Sequence, residues 1–259
     1  MRGYAKTPDH MIHICSSSGK MPSMHYHDSY ELYYLAMGSR EYFIEDKLFS
    51  VAAGDFVLIS PGKLHRTGGE YGTRTLINFT ESFLTRYYSR EMVQALLDCF
   101  AHMKLVPEEE RRQRCNQLLK NLSQAGDDAE FALLLGMLLK ELGGCQAVAL
   151  KNAQVSTIVA YINRNYARIT TLDAIADAFF ISKYHLCRIF KNAMKVTVIE
   201  YLNQIRIKNA RQLLEFSDKD IGQVAQLCGF RSTAYFCNLF RTRTGTSPTE
   251  FRRENRGVR

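Results

Sequence analysis

The chain has no C-x-x-C pair, and its seven cysteines (Cys15, Cys99, Cys115, Cys145, Cys187, Cys228, Cys237) are odd in number and scattered. That argues against a disulfide framework or a structural zinc ribbon and fits reduced thiols in a cytosol. A long hydrophobic run is also lacking. The longest, Phe131 to Leu139, is far too short to cross a bilayer. No secretory leader pattern opens the sequence, so a soluble, cytoplasmic protein is expected. Acidic residues are scarce in one part only. From Lys151 onward 8 Asp and Glu stand against 18 Lys and Arg, a net of +10, which leaves −2 for the remainder of a chain whose total is +8. A basic half of this kind points to phosphates as partners.

What is present in that basic half is a pattern written twice. Thr171 to Lys191 reads TLDAIADAFFISKYHLCRIFK, and Asp220 to Arg241 reads DIGQVAQLCGFRSTAYFCNLFR. Each copy runs from a short apolar-periodic segment (Leu172, Ile175, Ala176; Ile221, Val224, Ala225) through a turn. A second helical segment follows, with Leu186, Ile189, Phe190 or Phe236, Leu239, Phe240 inward. Two helices joined by a short turn, the second with an exposed polar face, make a helix-turn-helix. The second copy has one extra turn residue. A long helix from about residue 197 to 215 separates the copies, a capping helix from about 154 to 167 precedes them, and Thr246-Ser247-Pro248 starts a last short one.

The rest of the chain reads as two segments, with a boundary at about 145–153. Alternating, β-rich runs at residues 30–37, 41–45, 55–59 and 74–79, punctuated by glycine and proline, predict a small antiparallel barrel or sandwich over 1–80. Residues 81–149 turn helical. Pro107 with Glu108, Glu109 and Glu110 starts one helix, Gly126 closes it, and Asp127 or Asp128 caps the next. That next helix carries an apolar stripe that serves either as intramolecular core or as a self-association surface, and Leu134, Leu135 and Leu138 are the leading candidates for a homodimer contact. The expected fold class is α+β with two domains, the second an all-α tandem helix-turn-helix domain over 150–259.

A recognition helix buries one face and offers the other to the major groove. The offered residues are Ser182, Lys183, Tyr184, Cys187, Arg188 and Lys191 in the first copy, and Ser232, Thr233, Ala234, Cys237, Asn238 and Arg241 in the second. Arg188 suits a bidentate contact to guanine and Asn238 one to adenine, while Lys183, Lys191 and Arg241 suit phosphates.

These residues resemble the AraC/XylS family of bacterial transcription regulators. The resemblance lies in SKYHLCRIFK from Ser182, RIKNARQLL from Arg206, and Gly229-Phe230, Tyr235-Phe236, Phe240, TGTSP from Thr244 and Phe251-Arg252. It implies two recognition helices in successive major grooves, a linker helix between them, RNA polymerase as a partner and activation rather than repression. Phe179-Phe180 departs from the glycine common in such turns, and Asn238 stands where many members have arginine.

Toward the N-terminus, Gly19-x5-His25-x-His27-x3-Glu31-x6-Gly38 matches the first signature of the cupin superfamily, and Gly54-x6-Pro61-Gly62-x2-His65 matches the second in part. On a strand Glu31 and Tyr33 share one face, and His25 and His27 share a face with each other, so with His65 these residues are expected to converge on one pocket inside the barrel. Three readings stand open. The pocket binds a small effector, a sugar by resemblance to AraC-type sensors. Alternatively His25, His27, Glu31 and His65 ligate a divalent metal, or the groups only satisfy one another. Function follows as a DNA-binding regulator responding to a small molecule, with no catalytic residue and no cofactor beyond that metal. A metal-dependent cupin enzyme or a redox sensor with an appended DNA-binding domain is the alternative.

Overall fold

The structure, a computed structural model, describes residues 4–5, 9–17, 24–148 and 154–256. Gly19 of the first cupin signature and residues 149–153 of the expected boundary lie outside the described residues. The chain divides into two compact units, formed chiefly by Tyr26–Lys151 and Asn152–Arg259.

Strand β1 spans Tyr4–Ala5, and the first unit is built on strands β2 (His10–Ser17), β3 (Tyr26–His27), β4 (Tyr30–Ile44), β5 (Lys47–Ala52), β6 (Phe56–Ile59), β7 (His65–Phe79), β8 (Lys104–Val106) and β9 (Gln146–Ala147). The main sheet is antiparallel, ordered β2-β7-β4-β6-β8-β9, with β5 also paired to β4. Gly38 and Gly68-Gly69, which punctuate the sequence like turns, sit inside β4 and β7 instead. Register shifts fall between Leu35 and Met37 and between Gly38 and Arg40, so these are bulges that bend long strands rather than end them. The first bulge moves one facing set from odd to even numbers: Tyr33 and Leu35 share a cluster with Tyr42 and Ile44.

The opposite face, with Leu32, Tyr34, Phe56 and Phe79, packs on helices α1 (Glu81–Leu84), α2 (Arg90–Leu97), α3 (Glu109–Leu122) and α4 (Asp128–Gly143). Glu108 is the N-cap of α3 and Asp127 that of α4, where its side chain accepts from the Glu130 N–H. Helix α3 ends at Leu122 with Ser123 as its C-cap, four residues earlier than the Gly126 stop.

Here the structure corrects the expected dimer surface. Leu135 and Leu138 are fully buried in the same core as the sheet, and Leu134 packs against it. The stripe is apolar because it covers the strands. On α4 the large exposed apolar residues are Leu133 and Met137, at 58% and 50% exposure.

The second unit contains α5 (Gln154–Asn165), α6 (Leu172–Ala178), α7 (Lys183–Met194), α8 (Val198–Phe216), α9 (Ile221–Leu227), α10 (Thr233–Thr244) and α11 (Pro248–Arg256). Their starts are set by side-chain caps. Thr171, Ser182, Thr197, Asp220 and Ser232 each accept from the backbone N–H three residues on. Such caps stabilise by about 1 kcal/mol each, and Thr197 and Asp220 complete capping boxes with Glu200 and Gln223.

Helix α8 ties the copies together through buried polar groups. Arg206 donates to the carbonyls of Tyr166 (2.9 Å) and Ile169 (2.6 Å), and its guanidinium lies 5.5 Å from the Phe230 ring centroid. In the second copy Val224, Ala225, Phe236, Phe240 and Phe251 form one core.

Candidate functional site

Two surfaces carry chemistry. The first is the pair of helix-turn-helices, α6–α7 and α9–α10. The turn between α6 and α7 has four residues, 179–182, and that between α9 and α10 has five, 228–232. Beyond the turns the copies repeat each other. Leu186 and Phe190 are buried and Ile189 half-buried in α7, as are Phe236, Phe240 and Leu239 in α10. The opposite faces are left to solvent. Ser182, Lys183, Tyr184, Arg188 and Lys191 are exposed and Cys187 half-buried. Ser232, Thr233, Ala234, Asn238 and Arg241 are exposed and Cys237 half-buried. All twelve expected residues thus lie on two equivalent faces.

Local contacts refine their roles. Lys183 Nζ lies 3.1 Å from Asp173 Oδ2, in an exposed ion pair worth well under 1 kcal/mol that a phosphate can displace. Arg188 donates from Nη2 to His185 Nδ1 at 3.1 Å, which orients the guanidinium along the helix surface. His185 was not singled out in the sequence, although its i, i+3 spacing to Arg188 would have shown the pairing.

The second surface is a buried polar cluster in the β-domain. His27 is held at both ring nitrogens, with Nδ1 2.9 Å from the Ser29 carbonyl and Nε2 3.1 Å from Glu31 Oε2. Asn78 donates to the same carboxylate oxygen at 3.4 Å, and His65 Nε2 lies 4.0 Å from Glu31 Oε1. The His27 and His65 rings meet edge to face at 4.9 Å. Burial works to lower the His27 pKa. The hydrogen bond and charge of Glu31, with the Ser29 carbonyl, outweigh it and raise the pKa instead.

His25, His27 and His65 present ligand atoms within 4.8 Å of one another. Tyr33, expected here, is buried in edge-to-face contact with Tyr42 at 4.9 Å. Burial first, then the charge of Glu31 and Tyr33, pushes the Tyr42 phenol well above its ordinary value. Ser29 and Asn78 were missed in the sequence, as was the pairing of Tyr42 with Tyr33. That pairing was hidden by the bulge that shifts the facing set, and Asn78 by register, since it lies opposite Glu31 on β7.

An antiparallel β-domain with a buried polar cluster, followed by two helix-turn-helices, defines a two-domain helix-turn-helix protein. The chain belongs to the AraC family. A model of the AraC-like ligand binding domain matches residues 15–139, and one of a helix-turn-helix domain matches residues 175–254.

Among curated proteins it is similar to the uncharacterized HTH-type transcriptional regulator YijO of Escherichia coli K12. The two are 33% identical over 159 residues, covering 61% of this chain and 52% of the relative. Similarity to the HTH-type transcriptional activator RhaS of Citrobacter koseri is 30% over 150 residues, 54% of each chain. The melibiose operon regulatory protein of Escherichia coli K12 is 25% identical over 259 residues, with 90% of this chain and 84% of the relative covered. The chain spans about half the length of the first curated relatives it matches. Among the described residues, no helix is long and apolar enough to cross a membrane.

Proposed function

We propose that this protein is a sequence-specific DNA-binding transcription regulator whose DNA affinity responds to a small molecule held in the β-domain. The observation that carries the reading is the repeated exposure pattern of α7 and α10, two polar, cationic faces each backed by a buried aromatic core. Partners under this reading are promoter DNA, RNA polymerase and a second copy of the chain, in the cytoplasm. The relatives named as a transcriptional activator and a melibiose operon regulator favour activation and a sugar effector, and they favour a binding protein over an enzyme.

For the buried cluster, the match to an AraC-like ligand binding domain supports an organic effector first. Both nitrogens of His27 are engaged within the protein, Nδ1 by the Ser29 carbonyl and Nε2 by the Glu31 carboxylate. A divalent metal on His25, His27, His65 and Glu31 is the second reading, supported by the convergence of three imidazoles.

One set of measurements separates these. A duplex is first selected from a random-sequence pool with the full chain, and its affinity is then followed across a panel of mono- and disaccharides. The expected result is that at least one sugar shifts affinity and that His27→Ala removes the shift while retaining duplex binding. Stoichiometric metal in the purified chain, lost in His27→Ala and His65→Ala, would replace the effector reading with the metal one. A chain that enriches no sequence would defeat the regulator reading altogether.

A further inference from the structure

The two helix-turn-helix turns differ at one equivalent position. Phe180 and Gly229 each follow the C-cap of the first helix, Phe179 or Cys228, and both have positive φ, +53° and +83°. Their backbone bonds correspond as well. Phe180 N–H donates to the Asp177 carbonyl and Ile181 N–H to Ala176, as Gly229 does to Gln226 and Phe230 to Ala225.

At Gly229 the need for glycine is plain, because a Cβ there would lie 2.6 Å from the Ala167 carbonyl oxygen. At Phe180 the same left-handed backbone carries a large aromatic side chain, in a region that L-residues avoid. Nor does burial offset the strain, for Phe180 is 96% exposed. A strained, solvent-facing aromatic at a turn points to a contact made outside the fold.

Its surroundings name the partner. Two residues on, Ser182 caps the recognition helix. Tyr184, 79% exposed, follows, and the exposed cations Lys183, Arg188 and Lys191 share the same helix. Charge complementarity therefore selects nucleic acid.

We propose that Phe180 is a DNA-contact residue whose ring packs on the apolar edge of the duplex beside the first recognition helix. That edge is a deoxyribose or a thymine C5-methyl, the one apolar group the major groove displays. The inference rests on the DNA-binding reading above and extends it to a residue outside the helix itself.

Phe180→Gly isolates the ring, because glycine takes the left-handed conformation without strain. In the full chain, bound to the duplex selected by the wild type, this variant should keep or raise the melting temperature. It should also weaken binding by roughly tenfold, the scale of one good base-edge contact. Phe180→Tyr, which keeps the ring, should bind like wild type.

Replacing each thymine of the duplex by deoxyuridine then distinguishes the two apolar groups. One position that weakens wild type but not Phe180→Gly assigns the methyl, and uniform insensitivity assigns the sugar. Unchanged duplex affinity of Phe180→Gly overturns the proposal. If that variant also fails to activate transcription with purified polymerase, the ring serves a protein instead. A wild-type chain that enriches no duplex overturns the DNA-binding reading and this proposal together, whereas an indifferent Phe180→Gly overturns this proposal alone.

Discussion

At the scale of single residues, the proposed function assigns the specificity to Arg188 and Asn238. Each stands on the exposed face of its helix, one residue before the half-buried Ile189 or Leu239 and two before the buried Phe190 or Phe240. Under the regulator reading, Arg188→Ala should cost about 1–3 kcal/mol and relax the preference at one G·C pair. Asn238→Ala should do the same at an A·T pair roughly one helical turn away. Changing Lys191 or Arg241 should weaken all sequences about equally, as expected of phosphate contacts. Repeating the duplex selection with these four variants decides the matter, and a uniform loss with Arg188→Ala would make it a phosphate contact. These faces were legible in the sequence because 3.6-residue periodicity with a fixed buried aromatic leaves little freedom in which side chains point out. Phe180 was visible only as a departure from glycine. Its exposure depends on backbone conformation, which the sequence does not state.

Among the elements, α4 shows how pattern and partner separate. Periodicity located the helix well, and Asp127 caps it as expected. It did not say what the apolar stripe faces. A stripe that covers a sheet and one that covers a second subunit look alike, and Leu135 proved to be core. Leu135→Glu should therefore unfold the β-domain, because an unpaired carboxylate in an apolar core costs several kcal/mol. The homodimer remains part of our proposed function, and its candidate surface moves to Leu133 and Met137, which lie i, i+4 on the exposed side of α4. Leu133→Glu with Met137→Glu should leave the thermal transition nearly unchanged and convert the sedimenting species to monomer. A wild type that sediments as a monomer would remove the dimer. The strands were read less fully. The glycines of β4 and β7 look like turns in one dimension, and only pairing reveals them as bulges.

Across the whole molecule, function follows from an asymmetry of charge and motif. The duplicated helices and the excess of Lys and Arg coincide in the unit formed by Asn152–Arg259, while the buried polar cluster around Glu31 belongs to the β-domain. That coincidence is legible in the sequence, since a charge excess and a repeat are both properties of residue order and involve no contacts. The buried polar cluster was half readable. Spacing brought forward His27, Glu31 and His65, whereas Asn78 joins them only through cross-strand register.

The measurement that bears most directly on the central claim is the salt dependence of duplex binding by the full chain. With some six phosphates contacted, affinity for the selected duplex should fall by about 10³-fold or more between roughly 50 and 200 mM salt, while staying tighter than for a scrambled duplex throughout. An affinity indifferent to salt, or equal for the two duplexes, would contradict the account.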